Sequence, residues 1–426
     1  MTLARARVAV IGMGYVGLPL AVEFGRQRGV LGFDIDQGRI TALGGGNDAN
    51  REISTEDLAA AGRLRFSDDL AELAQNNVFI IAVPTPVNRD RTPDLRPLLA
   101  ATQMVGAVLK RGDVVIYEST VFPGATEEVC VPVLERVSGL IFNQDFYAGY
   151  SPERMIPGDR SRPLIAITKV TSGSTPEAAD FVDALYRTII TAGTYKAPCI
   201  KVAEASKIVE NIQRDVNIAL INELSIVFEH LDIDTAEVLD AAATKWNFNR
   251  LKPGLVGGHC IGVDPYYLLH RSARAGYIPE LIRVAREIND GMARHAASLL
   301  LSALLSRNIA AAGARVLVLG ITFKEDCRDT RNSKVVDLVH ELRAQGVVLD
   351  ICDCLADVRA VAARLGLKLL AELPFADACY DAVVLAVPHR EYVELGASAM
   401  QAWLRPDGVF FDLKSAFDRA DSDLRL

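Results

Sequence analysis

An α/β chain in which two doubly wound, mostly parallel sheets flank a helical middle is the fold class that this sequence predicts, and three observations carry it. Short β-branched runs alternate with helical patterns at the start of the chain, the alternation that builds right-handed crossovers and a parallel sheet. Over residues 199–231 the pattern gives way to helical spacing with no Gly or Pro. After residue 315 the opening pattern returns: NVFIIAVP at 77–84 is echoed by DAVVLAVP at 381–388, and GVLGFDID at 29–36 by GVVLDICD at 346–353.

Residues 7–12 (RVAVIG) form a continuous β-branched run closed by glycine, as a strand buried on both faces reads. A helix from Leu18 to about Arg28 follows, then strands at 30–34, 78–83 (VFIIAV) and 114–117, with a helix at 98–109 before the last. This first domain is set at 1–198. A central helical domain at 199–306 opens with the helix of 33 residues, which at ~1.5 Å per residue spans roughly 50 Å and is long enough to brace two domains or two subunits. A glycine-rich loop at 252–264 and more helix at 277–306 complete it. The third domain, 307–426, carries strands at 315–320, 347–352, 382–387 and 409–412, so two Rossmann-like sheets are expected around a helical centre.

Composition places the chain among ordinary globular proteins, with 426 residues, 50% hydrophobic and 23% charged. Lys plus Arg total 46 against 54 for Asp plus Glu, a net charge of −8, and no basic run concentrates positive potential, which argues against nucleic acid as a partner. The N-terminal apolar stretch is broken by Pro19 and Glu23 and is too short for a membrane span, so a soluble cytoplasmic protein with no membrane partner is expected. The seven cysteines (130, 199, 260, 327, 352, 354 and 379) are odd in number and contain no CxxC pair. They read as thiols, with no metal site, and one of them is a candidate for chemistry.

Gly12-Met13-Gly14-Tyr15-Val16-Gly17 follows the first strand and opens a helix. Its glycines allow a tight turn, close approach to a pyrophosphate and helix-on-strand packing, and the helix start offers free N–H groups to the phosphates. Asp34 closes the second strand, where a carboxylate accepts from the ribose hydroxyls and repels a 2′-phosphate, so NAD is expected over NADP. Arg39 is a competing phosphate cue, or flanks the adenine. In the third domain the matching turn, Gly320 to Lys324, has one glycine and is not expected to bind a second dinucleotide in that way. Lys324 and Arg331 there either supply charge for a diphosphate or are surface cations.

Cys260 lies among Gly257, Gly258 and Gly262, ahead of Asp264, in a loop where backbone can approach a ligand closely, which is unusual for a cysteine that only fills a core. His259 is its neighbour, and adjacent side chains of an extended loop point apart, so a dyad of the two is not expected. Lys207 and Asn211 share a helix face. Their residue types alone do not lift them above a solvated lysine and a helical asparagine.

These motifs together resemble the UDP-glucose/GDP-mannose dehydrogenase family: GMGYVG, Glu118-Ser119-Thr120-Val121, Ser151-Pro152-Glu153, Ala205-Ser206-Lys207 with Asn211, Gly257-Gly258-His259-Cys260 with Asp264, and Phe323-Lys324-Glu325-Asp326 with Asp329-Thr330-Arg331. They occur in that family's order over nearly the whole chain. KWNF at 245–248, with the PGLVGGHCIGVDPYYL that follows, is most similar to the branch acting on UDP-N-acetylhexosamines for surface polysaccharides such as capsule and O-antigen.

The resemblance implies NAD-dependent oxidation of the sugar C6 hydroxyl to a carboxylate in two hydride transfers, through a thiohemiacetal and a thioester on Cys260. By carry-over Lys207 and Asn211 stabilise charge on the C6 oxygen. Thr120, Glu153 and Asp264 are the polar positions for proton transfer and water placement, and which is the base stays open. The cofactor set is Gly12, Met13, Gly14, Tyr15, Val16, Gly17, Asp34, Arg39, Thr85, Ser119, Thr120 and Arg331. The UDP-sugar set is Glu153, Arg154, Lys207, Asn211, Lys252, Gly257, Lys324 and Lys414, with Lys252 standing where relatives of this branch carry arginine. UDP-N-acetylgalactosamine or UDP-N-acetylglucosamine is the expected substrate, with UDP-glucose or GDP-mannose as the alternative, and the protein is expected to be a homodimer or larger homo-oligomer. Two rivals remain: a β-hydroxyacid dehydrogenase, which makes one hydride transfer and needs neither Cys260 nor the third domain, and a catalytically silent nucleotide sensor.

Overall fold

Three of the four residues of β1 (Val8–Ile11) are β-branched and all four are buried, because parallel neighbours and crossover helices leave neither face to water. The computed structural model describes residues 2–50, 52–88, 90–155, 162–373 and 378–426. Two compact units result: Met1–Glu210 with Tyr266–Tyr277, and Asn211–Pro265 with Ile278–Leu426.

In the first unit β1 is joined by β2 (Val30–Phe33), β3 (Leu64–Ser67), β4 (Val78–Ile81), β5 (Val114–Tyr117), β6 (Tyr147–Tyr150), β7 (Lys169–Gly173) and β8 (Thr194–Lys196). The strand order is β3-β2-β1-β4-β5-β6-β7-β8. All neighbours run parallel except β6 and β7, which pair antiparallel. The order reverses between β1 and β4, and in an open α/β sheet that reversal opens a crevice at the carboxyl ends of the strands. Helix Gly17–Gln27 packs its Leu18, Leu20, Ala21 and Phe24 into a core with Val8, Val10, Ile80 and Ile116.

The second unit holds a parallel sheet in the order β10-β9-β11-β12, built from β9 (Arg315–Leu319), β10 (Val348–Cys352), β11 (Tyr380–Leu385) and β12 (Leu404–Asp412). Helices Glu280–Ser306 and Lys334–Ala344 cover it, with Met292, Ala296, Leu300 and Leu304 of the first meeting Val316, Val318 and Val339. The long helix is continuous from Ile200 to His230, and both units draw on it. Among the described residues no helix is long and apolar enough to cross a membrane.

Candidate active site

The turn after β1 is built for close approach. Gly12 sits at φ +95°, where a side chain is strained, and a Cβ on Gly17 would stand 2.0 Å from the Gly12 carbonyl oxygen. Around Gly14, by contrast, nothing lies within 4 Å of a Cβ position, so the turn leaves a cradle beside the helix start. Asp34 Oδ2 accepts the Met13 N–H at 2.7 Å, and Oδ1 accepts that of Asp36 at 3.0 Å, which leaves lone pairs on both oxygens. This bare turn with a carboxylate at its rim fits an adenosine diphosphate. Arg39 braces the turn from behind: its Nε donates to the Met13 carbonyl at 2.9 Å and Nη1 to buried Asp48 at 2.6 Å, while Nη2 has no hydrogen-bond partner among the described residues.

At the ends of β4 and β5, Thr85 Oγ1 donates to the Thr120 carbonyl at 2.7 Å and Ser119 Oγ to the Val83 carbonyl at 2.6 Å. Tyr267 reaches back to the same strand end, its hydroxyl donating to the Thr85 carbonyl at 2.9 Å. Beneath them lies a buried charge network. Lys169 is 2% exposed, and its Nζ donates to Glu118 Oε2 at 2.6 Å and to the Pro152 carbonyl at 2.8 Å, while the Tyr186 hydroxyl donates to Glu118 Oε1. Burial pushes the Glu118 carboxyl up to about 7 even though Lys169 opposes the shift. Lys169 therefore ties the strand end bearing Thr120 to the strand end bearing Glu153. Glu153 is buried, with Oε1 accepting the N–H groups of Arg154 and Met155 and Oε2 without a hydrogen bond among the described residues. Arg154 is anchored to Glu210 at 2.8 Å and to the Thr168 carbonyl at 2.7 Å.

Glu204 is wholly buried on the long helix and accepts the Gly124 and Thr126 N–H groups, and burial raises its carboxyl to about 7. One turn on, Lys207 is 7% exposed with no hydrogen bond or ion pair among the described residues. An ammonium so buried, with no carboxylate partner among the described residues, is uncommon in a fold core, because burial of a charge is costly without a partner.

In the second unit Asn211 donates from Nδ2 to Asp264 Oδ2 at 2.5 Å. Asp264 opens helix Asp264–Arg274, and its N–H and that of Val263 bond the Cys260 carbonyl at 2.8 and 3.0 Å, so Cys260 begins a tight turn into that helix. Cys260 is half-buried, and neither it nor any of the other six cysteines is in a disulfide. The backbone is held from the other side, where Gly258 N–H donates to the Asn332 carbonyl at 3.3 Å and a Cβ on Gly257 would meet that carbonyl at 2.6 Å. His259 turns its Nε2 to Asp329 at 2.5 Å and its ring edge to Phe323. That distance suits an ion pair, yet burial and the Arg331 charge outweigh Asp329 and lower the imidazole to about 4, so a neutral ring donates to a carboxylate. Arg331 in turn grips Asp329 through Nε at 3.0 Å and its terminal nitrogen at 2.7 Å. Lys324 stacks its ammonium over Phe323, Lys252 donates to the Ser415 carbonyl at 3.1 Å, and the Lys414 side chain lies against Gly254.

Asp353, Cys354 and His389 gather three potential metal donors. Asp353 already accepts the N–H groups of Ile321, Leu355 and Ala356, His389 Nδ1 accepts that of Asp326, and burial pushes the Cys354 thiol up to about 12. Those lone pairs are spent on the fold.

Sequence reasoning passed over Lys169, Tyr186, Glu204 and Tyr267. Glu118 stood in a motif without a role, and a lysine opening a strand gives no signal of burial.

Family models match three stretches: the UDP-glucose/GDP-mannose dehydrogenase family NAD binding domain at 6–190, its central domain at 201–291 and its UDP binding domain at 317–419. The chain is 54% identical over 420 residues to a UDP-N-acetyl-D-glucosamine 6-dehydrogenase of Pseudomonas aeruginosa, covering 99% of each protein, and 49% identical to one of Salmonella typhi over 99% of each. Its structure is similar to that of a UDP-D-ManNAc dehydrogenase from Pyrococcus horikoshii, with TM-score 0.88 and 32% identity over 97% of this chain and 96% of that one. Three matched domains in order, full-length identity with two dehydrogenases, and a turn shaped for NAD make this chain a member of the UDP-glucose/GDP-mannose dehydrogenase family, the NAD-dependent oxidoreductases of nucleotide sugars.

Proposed function

We propose that this chain oxidises the C6 hydroxyl of UDP-N-acetyl-D-glucosamine to the carboxylate, by four electrons, with Cys260 as the covalent nucleophile. The observation that carries the covalent step is the half-buried Cys260, held in a turn whose exit residue Asp264 accepts a hydrogen bond from the Asn211 amide. The N-acetylglucosamine assignment is supported by the 54% and 49% identical relatives that bear that substrate in their names.

When bound, NAD supplies the hydride acceptor for each of the two oxidations. Lys207 Nζ and the second N–H of Asn211 donate to the C6 oxygen as it gains negative charge, the place where preorganised donors lower a barrier most. Cys260 Sγ adds to the aldehyde carbon while the thiol proton passes, directly or through a neighbouring base, to the carbonyl oxygen, which completes the thiohemiacetal. Once the thiohemiacetal has lost its hydride and proton, water cleaves the thioester and returns the thiol. A thiolate serves both capture and release, because it is a good nucleophile and a fair leaving group. Glu153, Asp264 and Thr120 are the residues to place that water and move its proton. We further propose a homodimer formed through the long helix, on which Leu220 and Val227 are exposed seven residues apart on one face, with Leu231 exposed just past the helix end.

The test is a panel of UDP-N-acetylglucosamine, UDP-N-acetylgalactosamine, UDP-glucose and GDP-mannose with NAD, following NADH per sugar consumed. Two equivalents with UDP-N-acetylglucosamine fastest is the expected outcome. A faster UDP-glucose or GDP-mannose overturns the substrate, and one equivalent overturns the two-step oxidation.

A further inference from the structure

A chain of buried polar side chains runs through the second unit and ends on the loop that leads to Cys260. Asp215 and Asn222 on the long helix, and Arg286 and Asn289 on helix Glu280–Ser306, are at most 1% exposed. Arg286 donates to Asp215 Oδ1 at 2.5 Å, Asn289 Nδ2 donates to the same oxygen at 2.8 Å, and Asn222 Nδ2 donates to Asn289 Oδ1 at 2.8 Å. At its far end the chain grips a single residue from both sides. Asn222 Oδ1 accepts the Gly254 N–H at 2.8 Å, and Asn222 Nδ2 donates to the Gly254 carbonyl at 3.1 Å. This is how a neighbouring strand bonds a residue of an antiparallel ladder, here performed by one side chain.

The residue so held is itself special. Gly254 has φ +151°, and a Cβ there would stand 2.7 Å from Lys414 Nζ and 2.8 Å from its Cε. The Lys414 side chain thus lies on the bare Cα of Gly254, while Lys252, two residues earlier, bonds the carbonyl of Ser415, next to Lys414. Moving the Gly254 peptide moves the seat of one lysine and the tether of the other. Burying an amide completely costs free energy that an apolar side chain avoids, and here the amide is spent on a loop rather than on a helix or sheet.

We propose that Asn222 is a positioning residue for the nucleotide sugar: by holding both polar atoms of Gly254 it sets where Lys414, Lys252 and the peptides up to Gly257 meet the substrate. The inference rests on the reading above that this loop and Lys414 face the UDP-sugar. It acts on sugar binding and leaves the cofactor turn, which belongs to the other unit, alone.

The test compares Asn222→Ala with Asn289→Ala in the full chain, reading KM for UDP-N-acetylglucosamine, KM for NAD, and inhibition by UDP. Asn289→Ala breaks the same buried chain without removing the bracket on Gly254, so a purely structural role predicts the same phenotype for both variants. The expected result is a tenfold or greater rise in sugar KM and a matching loss of UDP inhibition for Asn222→Ala, with NAD KM within twofold, and a much smaller rise for Asn289→Ala. Equal rises in the two variants, or a sugar KM within twofold of the parent in Asn222→Ala, overturn it. If Asn222→Ala does not fold, Gly254→Ala decides: it keeps the network and displaces Lys414, and an unchanged sugar KM there overturns the inference while a tenfold rise supports it. Lys414→Ala separates the two levels. If it leaves sugar KM unchanged, the reading of the loop as substrate-facing fails; if it raises sugar KM and Asn222→Ala does not, only the role of Asn222 fails.

Discussion

Asp34 accepts the Met13 N–H at 2.7 Å, so the acid that ends β2 and the first peptide of the glycine turn hold each other in place. The second unit repeats the device: Asp353 accepts the Ile321 N–H at 2.6 Å, and the Gly12 and Gly320 N–H groups each bond the last residue of the neighbouring strand at 2.8 Å. Matching GVLGFDID to GVVLDICD residue by residue puts Ile351 opposite Asp34. The structure shifts the repeat by two residues, because β10 runs one residue longer than β2 and starts later, so Asp353 takes that place. Asp353 is filled by further backbone N–H groups and by His389, whereas Asp34 keeps room for a ribose.

Replacing Asp34 with Ala removes a brace of the turn and, on the reading proposed here, the acceptor for the ribose hydroxyls. NAD KM is expected to rise by roughly tenfold, corresponding to about 1.4 kcal/mol, and the preference for NAD over NADP to narrow. Steady-state kinetics with both cofactors checks it, and equal efficiency with NAD and NADP in the unmodified protein would sink the role given to Asp34.

Cys260→Ala is expected to stop formation of the uronic acid while NAD binding stays within about twofold, since no atom of the cofactor turn is disturbed. Chromatography of the nucleotide sugars reads the first outcome and calorimetry with NAD the second. Continued release of the acid would falsify the covalent route.

For Lys207→Ala, turnover should fall far more than sugar affinity, because a cation aimed at a developing oxyanion works mainly in the transition state. A fall of less than about tenfold, under roughly 1.4 kcal/mol, would leave Lys207 with no part in the chemistry.

His259 in one unit and the pair Glu118 and Glu204 in the other make contributions of opposite sign to the pH dependence of stability. Burial lowers the His259 imidazole to about 4 in the fold, against its ordinary 6.5, so the unfolded chain binds more protons in that window and stability falls as pH drops through it. Burial raises the Glu118 and Glu204 carboxyls to about 7 against the ordinary 4.5, so the stability that these two groups contribute is lost as pH rises from 4.5 to 7. Thermal melts of His259→Gln against the parent should show a flatter decline between pH 6.5 and 4. An identical slope would show that the ring is not held neutral.

Much of this molecule was legible in sequence. The strands at 8–11, 30–33, 78–81 and 114–117, the uninterrupted helix at 200–230, and the glycine turn with its acid are local signals, since strand burial, helix periodicity and turn geometry are each imposed by residues a few positions apart. The return of the pattern after residue 315 is equally local and announced the second sheet. Several strands escaped for the same reason: β3 is half-exposed and polar, and β7 begins with a lysine, so neither shows an apolar run. The antiparallel turn of β7 against β6 leaves no trace in either strand.

What only tertiary structure decided is which polar groups share a buried space. Lys169 meets Glu118 across 51 residues and Tyr186 meets it across 68, His259 meets Asp329 across 70, and Asn222 meets Gly254 across 32. Nothing at residue 169 or 222 sets it apart from a solvated lysine or a helical asparagine, because the free energy of a buried charge or amide depends on the partner that the fold brings to it and on the water that the fold takes away.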